Sequence, residues 1–300
     1  MMFMLRAIVT TLFFAVTFCG FSHRAMAQSH NRGRVLVVLS SVHELTLRDG
    51  RHYPTGFYLN EFAVPVQALI QAGYEPVFAD PQGNAVTWDA HSASARYFGG
   101  SEKALQDTIQ FVERLDSLKH PRTLASVRAE GIGSYVGIVV PGGHAPLEDL
   151  MTDPDLGEIL RAFHNAGKTT GLICHGPVAL ASSLPDARGF HAALVAGNTN
   201  DIRRLAAGWP YTGYHMTVFS TPEEQFAETH QLNGHVLFYP ATALADAGAT
   251  VEEARIWTPN VVTDRELITA QQPFSDKEFS VALVKALDNQ IKNHGVSSLR

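Results

Sequence analysis

Two short runs without a polar side chain, Val35 to Leu39 and Val136 to Val140, constrain this chain most. A strand with one wet face alternates apolar and polar residues, so an unbroken run belongs to a strand covered on both faces. Glu75 to Ala79 and Thr169 to Ile173 read as further strands. Helical stretches lie between and after them, at Phe57 to Gln71, Pro154 to Asn165 and Ser275 to Asn293. Pro65 predicts a kink or a late start in the first of these helices. Strands alternating with helices predict an α/β fold: a flavodoxin-like, doubly wound, mainly parallel sheet with helices on both faces. More strands are expected at Thr217 to Ser220, Arg255 to Thr258, Val261 to Thr263 and Leu267 to Ala270. Residues 83–131 read as a small cap insertion with one good helix, Glu102 to Leu118. Residues 186–213 read as a second, irregular insertion.

The first 27 residues look like an export signal peptide. Arg6 supplies the positive start, Ala7 to Gly20 the apolar stretch, and Ala25-Met26-Ala27 a small-x-small cleavage site. The mature domain, residues 28–300, is then expected in a bacterial periplasm. The apolar stretch is short for a membrane span, and no later segment is apolar enough to cross. Cleavage would remove Cys19 and leave Cys174 unpaired, and an unpaired thiol in an oxidising compartment is flagged for reactivity. Loss of Arg6 and Arg24 takes the net charge from −6 to −8, which argues against nucleic acid or anionic membrane as a partner. The 14 histidines are scattered without zinc-like spacing, so no metal is expected.

Chemistry gathers where the strands end. Ligands of open parallel sheets bind beyond the carboxyl ends of the strands. Pro141-Gly142-Gly143-His144 and Gly171-Leu172-Ile173-Cys174-His175-Gly176-Pro177 both fall there. Cys174 is the candidate nucleophile at a strand-to-helix turn, and a short helix expected at Val178 to Ala181 would favour its thiolate. Taken alone, the motif also fits an inert buried cysteine. The N–H groups of Gly142, Gly143 and His175 would form an oxyanion hole, although a Gly-Gly pair equally suits an ordinary turn. Glu61, among apolar neighbours at helical spacing, is either a solvated residue or a buried acid with raised pKa able to transfer protons. His175 needs an orienting carboxylate; Glu224 is the candidate and Glu223 its rival.

Together these segments resemble the ThiJ/PfpI superfamily of class I glutamine amidotransferase-like fold, and within it the heat-shock chaperone and glyoxalase III branch. The resemblance spans Val35 to Asn293. It rests on Gly-Phe-Tyr-Leu-Asn-Glu, Pro-Gly-Gly-His, Cys-His-Gly-Pro and Val262-Thr263-Asp264-Arg265-Glu266-Leu267-Ile268-Thr269, in family order. It implies Cys174 as nucleophile, Glu61 as its partnering acid, His175 and Glu224 as the remaining triad members, and Gly142 and Gly143 as the oxyanion turn. The implied activity is that of glyoxalase III, a lyase that protects against reactive carbonyls. It converts 2-oxoaldehydes such as methylglyoxal to 2-hydroxy acids (D-lactate) without glutathione or any cofactor. The implied partners are small reactive aldehydes or glycated substrates, and the implied assembly is a homodimer. Deglycation would use the same atoms.

Three other readings compete. A holding chaperone for unfolded proteins needs an exposed apolar patch, for which Trp209, Tyr211, Tyr214 and Phe274 are candidates. A redox sensor would act through oxidation of Cys174. Peptidase or amidase chemistry fits less well, because true glutamine amidotransferases of this fold resemble each other in a downstream His-x-Glu pair. None of His175, His191, His215, His230, His235 and His294 is followed two places later by glutamate.

Overall fold

A computed structural model describes residues 32–297, so the expected signal peptide lies outside the described residues. The strands are β1 (Arg34–Val38), β2 (Glu44–Thr46), β3 (His52–Pro54), β4 (Glu75–Asp80), β5 (Arg122–Thr123), β6 (Tyr135–Val140), β7 (Thr169–Ile173), β8 (His215–Met216), β9 (Thr250–Val251), β10 (Val261–Asp264) and β11 (Leu267–Ala270). The helices are α1 (Leu59–Gln71), α2 (Glu102–Glu113), α3 (Leu124–Glu130), α4 (Pro154–Asn165), α5 (Ala187–Ala196), α6 (Thr199–Leu205), α7 (Thr221–Ala227), α8 (Pro240–Ala247) and α9 (Asp276–Ser297). Seven strands form one sheet in the order β10-β11-β7-β6-β1-β4-β5. Its pairings are parallel except that of β10 with β11. From β1 the chain builds outward to β4 on one side and to β6 on the other. A switch point therefore opens at the carboxyl ends of β1 and β6.

The unbroken apolar runs feed two cores. Alternate residues of a strand point to opposite faces. Leu36, Val38, Ile138, Val140 and Leu172 pack with Leu124, Val127, Ile159, Leu160 and Phe163 of α3 and α4. Val35, Val37, Val139 and Ile173 pack with Phe62 and Leu69 of α1 and with Phe279 and Leu283 of α9. Each such side chain, fully buried, contributes about 1.5–3 kcal/mol. That covering on both faces leaves the strand ends as the place where the sheet opens.

Helix α1 starts six residues before Pro65 and runs past it, so the helix has no late start. Pro65 only withholds the N–H that would have bonded the Glu61 carbonyl. Two expected strands are absent. Thr217 to Ser220 joins no sheet, because its N–H groups are already taken: Thr217 donates to Thr269 Oγ1 and Phe219 to the Cys174 carbonyl, both at 2.8 Å. Pairing occurs just upstream instead, between β8 and β9. Arg255 to Thr258 is a turn, with Trp257 at φ 61°.

The insertions are more regular than their sequences suggest. Residues 186–213 hold α5 and α6, capped by Asp186 accepting from the Gly189 N–H and Asn198 from the Asp201 N–H. Residues 83–131 hold α2, α3 and the edge strand β5. Trp209, Tyr211 and Tyr214 are buried and form no apolar surface. The Trp209 Nε1–H donates to the Leu180 carbonyl. Phe274 is half-buried against Tyr97 and Trp257. Among the described residues no helix is long and apolar enough to cross a membrane.

Candidate active site

Strand β7 delivers Cys174 into a sharp turn at φ 61°. A non-glycine residue costs about 1–3 kcal/mol there, so the surroundings must impose the conformation. They do so through both backbone groups: the Cys174 N–H donates to the Ala270 carbonyl, and its own carbonyl accepts from Phe219, each at 2.8 Å. Gly176 closes the turn, since a methyl group there would stand 2.3 Å from the Val140 carbonyl oxygen. The chain then enters a 3₁₀ helix, Gly176–Ser183, with Pro177 near its start.

His175 Nδ1 lies 3.3 Å from Cys174 Sγ, and its Nε2 lies 2.8 Å from Glu224 Oε2. The other oxygen, Glu224 Oε1, is 2.9 Å from Nε2 of His144, and the two imidazole rings sit 4.2 Å apart. All three residues are buried. One carboxylate thus serves two imidazoles. Burial works against charge on Glu224, but the two histidines more than reverse this and hold its pKa at about 2. Burial also works against a charge on His144; the Glu224 charge and hydrogen bond win, with Asp89 and Glu228 adding to them, and its pKa is raised. For His175, burial and the charge on His144 prevail and lower the pKa to about 4. A proton on this pair is therefore favoured on His144 over His175, and His175 is held neutral. A neutral imidazole has one N–H. With Nε2–H donating to Glu224, the Nδ1 lone pair faces the sulfur.

Glu61 lies in the first turn of α1, wholly buried. Neither of its oxygens makes a hydrogen bond of normal geometry. Burial lifts its pKa to about 8; the nearby Cys174 thiol and Gly142 N–H oppose this, while Asp276 and Asp89 add to it. A methyl group at Gly142 would lie 2.5 Å from Cys174 Cβ and 2.6 Å from Glu61 Oε2, so acid and cysteine are at most about 5 Å apart. Asn60 fixes this helix start by donating to the Pro273 carbonyl (2.7 Å) and to Asp276 Oδ2 (2.9 Å).

The thiol is not acidified. Burial, then the Glu61 charge and hydrogen bond, push the Cys174 pKa well up, with only the Gly143 N–H acting the other way. The expected help from the following helix is outweighed, because the sulfur is dry and faces a carboxyl group. The two glycines also divide. Gly143, at φ 90°, lines the cavity above the sulfur, whereas Gly142 sits outside that lining with its N–H on the Glu61 side.

Glu223 is committed elsewhere. The Ser220 N–H and Oγ–H donate to its Oε2 at 3.1 and 2.7 Å, the Trp257 N–H to its Oε1 at 2.8 Å, and Gln271 Nε2 to its Oε2 at 3.0 Å. The signal was present in the sequence, since Ser220-x-x-Glu223 ahead of an apolar stretch is a capping box that turns Glu224 to another face. His144 is the residue that sequence reasoning missed. Pro-Gly-Gly-His reads as a turn, and nothing local announces a carboxylate 80 positions away.

Cys174, His175, His144 and Gly143 border a cavity of about 150 Å³, walled by Tyr58, Tyr97, Phe219, Phe226 and Trp257. Its outer side includes His230 and Gln231, from the π-helical turn Glu228–Leu232 that follows α7. Such turns are frequent at functional sites. His144, His175 and Glu224 are the metal-compatible donor set among the described residues, their ligand atoms lying within 4.8 Å of one another. Their Nε2···O distances of 2.8 and 2.9 Å are those of hydrogen bonds. Two ligands of one tetrahedral zinc, each about 2.0–2.2 Å from it, would stand farther apart. As arranged, the three bind one another.

Residues 53–184 match the DJ-1/PfpI family. The protein/nucleic acid deglycase HchA of Staphylococcus aureus (strain Newman) is 25% identical over 281 residues, 92% of this chain and 87% of that protein. Among solved structures, the glyoxalase III of Candida albicans superposes with a TM-score of 0.65 at 22% identity, covering 85% of this chain and 98% of that one. The 24 kDa rapid encystment protein of Francisella tularensis gives 0.62 at 22%, covering 85% and 99%. These likenesses support the DJ-1/PfpI superfamily, and the mostly parallel sheet with helices around it is the fold of those structural neighbours.

Proposed function

We propose that this protein is a glutathione-independent glyoxalase of the glyoxalase III type, acting through Cys174. The observation that carries the reading is Glu61: a wholly buried carboxyl with a pKa of about 8, set beside the Cys174 thiol and the Gly142 N–H, with the cysteine at most about 5 Å away. Holding such a group away from water costs stability, and proton transfer at carbon is the use that this position fits.

Cys174 Sγ adds to the aldehyde carbon as its proton passes to the Nδ1 of His175. The carbonyl oxygen, steadied by the Gly143 N–H, is protonated to give a hemithioacetal. Glu61, as carboxylate, removes the C1 hydrogen; that electron pair forms the C1–C2 double bond, and the C2 oxygen takes a proton. The enediol then accepts the Glu61 proton at C2 and loses the C1 hydroxyl proton, which leaves a thioester. Water activated by His175, itself held by Glu224, attacks the thioester carbon. The C–S bond breaks and the sulfur regains its proton. The sum is 2-oxoaldehyde plus water giving 2-hydroxy acid, and no electrons leave the system.

The cavity favours this over deglycation of protein side chains, since about 150 Å³ with Cys174 only 3% exposed suits a small free aldehyde. The test is lactate formation from methylglyoxal without glutathione, with Cys174→Ala as control. We expect turnover by the wild type and none by the variant; undiminished turnover by Cys174→Ala overturns the scheme.

A further inference from the structure

The cavity carries a charge pattern that this reaction leaves unused. Among the described residues no aspartate or glutamate lines it, although the chain bears a net charge of −6. Its lining does include Arg96, His91, His144 and His230. Glu224 cancels the charge of His144, so Arg96 is the charge left over. The Arg96 guanidinium is exposed and makes no ion pair or hydrogen bond among the described residues. It lies 4.7 Å over the ring of Tyr97 and 6.0 Å from that of Trp257, both cavity residues. Stacking on aromatic faces orients a guanidinium without neutralising it and leaves its N–H fork free for an anion. A second polar atom waits deeper: His144 Nδ1 is buried and has no partner. Between these points stand Tyr58, Tyr97 and Trp257; a volume of about 150 Å³ is of the size that takes a benzene ring, and the exposed Arg96 lies at its open edge.

We infer that the site selects 2-oxoaldehydes whose far end carries a carboxylate. The reacting carbonyls would lie at Cys174 beside His144 Nδ1, a ring-sized body against Tyr58 and Trp257, and the carboxylate in the Arg96 fork. Arg96 is thus a specificity residue that never touches the reacting atoms. The inference rests on the glyoxalase reading for its reaction, but not for its anion subsite.

The experiment has two arms. In the first, initial rates are compared for phenylglyoxal and 4-carboxyphenylglyoxal, which differ by the carboxylate. We expect kcat/KM at least about tenfold higher for the charged aldehyde, the size of one charge-assisted hydrogen bond. Arg96→Gln should bring the ratio close to one. Lys103→Gln, which removes an exposed cation outside the cavity, should leave it unchanged. In the second arm, benzoate and benzamide are compared as protectants of Cys174 against iodoacetamide, read by mass spectrometry of the intact protein. Benzoate should protect, benzamide should not, and Arg96→Gln should abolish the difference. Equal kcat/KM in the wild type, equal protection by the two ligands, or a preference that survives Arg96→Gln overturns the proposal. If neither aldehyde turns over while benzoate protection still depends on Arg96, the glyoxalase reading falls and the anion subsite stands.

Discussion

Glu61 and Glu224 are the same residue type, both wholly buried and both beside the cysteine turn, yet the fold drives their pKa values to about 8 and about 2. The difference lies in partners. Glu224 meets two imidazoles, while Glu61 meets a thiol and two more acids. Burial magnifies whichever neighbours a group has, because charges interact more strongly where water is excluded. The pair therefore splits into an anchor held toward its ionised form and a carboxyl held toward its protonated form. Pairs of titratable groups pushed apart in this way are how one site runs acid and base chemistry at once.

The largest test of this contrast is Glu61→Gln. Turnover of a 2-oxoaldehyde should fall about 10²–10⁴-fold, the range of a positioned proton-transfer group. Stability should move the other way. Because the folded pKa of Glu61 is raised, its contribution is fully present below pH 4.5 and is lost as pH rises to about 8. The loss approaches about 5 kcal/mol at most. Urea melts at pH 5 and pH 8.5 should show the variant gaining on the wild type as pH rises; parallel curves would mean that Glu61 is solvated. Next comes Glu224→Gln, which takes from two buried imidazoles the carboxylate they share and should cost about 3–5 kcal/mol at pH 7. An equal effect from the two substitutions would erase the distinction.

A finer probe is His144→Gln, which keeps a donor to Glu224 and removes the charge. The His175 pKa should climb from about 4 by at least a unit, read from labelled histidine resonances in NMR. No movement would mean that burial alone sets it. The smallest effect on turnover is expected from Glu223→Gln. It turns one acceptor of a buried hydrogen-bond cluster into a donor, costs about 1–3 kcal/mol of stability, and leaves turnover within about twofold.

The central strands were legible because burial on both faces leaves a composition that needs no partner to be recognised, and Cys174 was legible because the elbow is a local motif. What lay between neighbours in space was harder. The strands expected at Thr217 and Arg255 failed because side chains and a turn, which a hydropathy pattern does not record, occupy their N–H groups. Glu61 could be proposed but not placed, since a helix phase decides between solvent and core. The role of His144 depends on a fold-level meeting with α7. The state of the sulfur was misjudged for a related reason: a helix end is visible in sequence, but the dryness that outweighs it is not.

One brace has a consequence for how the molecule comes into being. Asn60, next to Glu61, is tied to Pro273 and Asp276, which open the last helix. The acid is therefore set by residues that emerge from the ribosome more than 200 positions after it. A nascent chain carries the thiol but not the assembled surroundings that set the acid beside it. The helix that braces Asn60 is the same one whose Phe279 and Leu283 cover the sheet, so site and core are completed together by the last residues made.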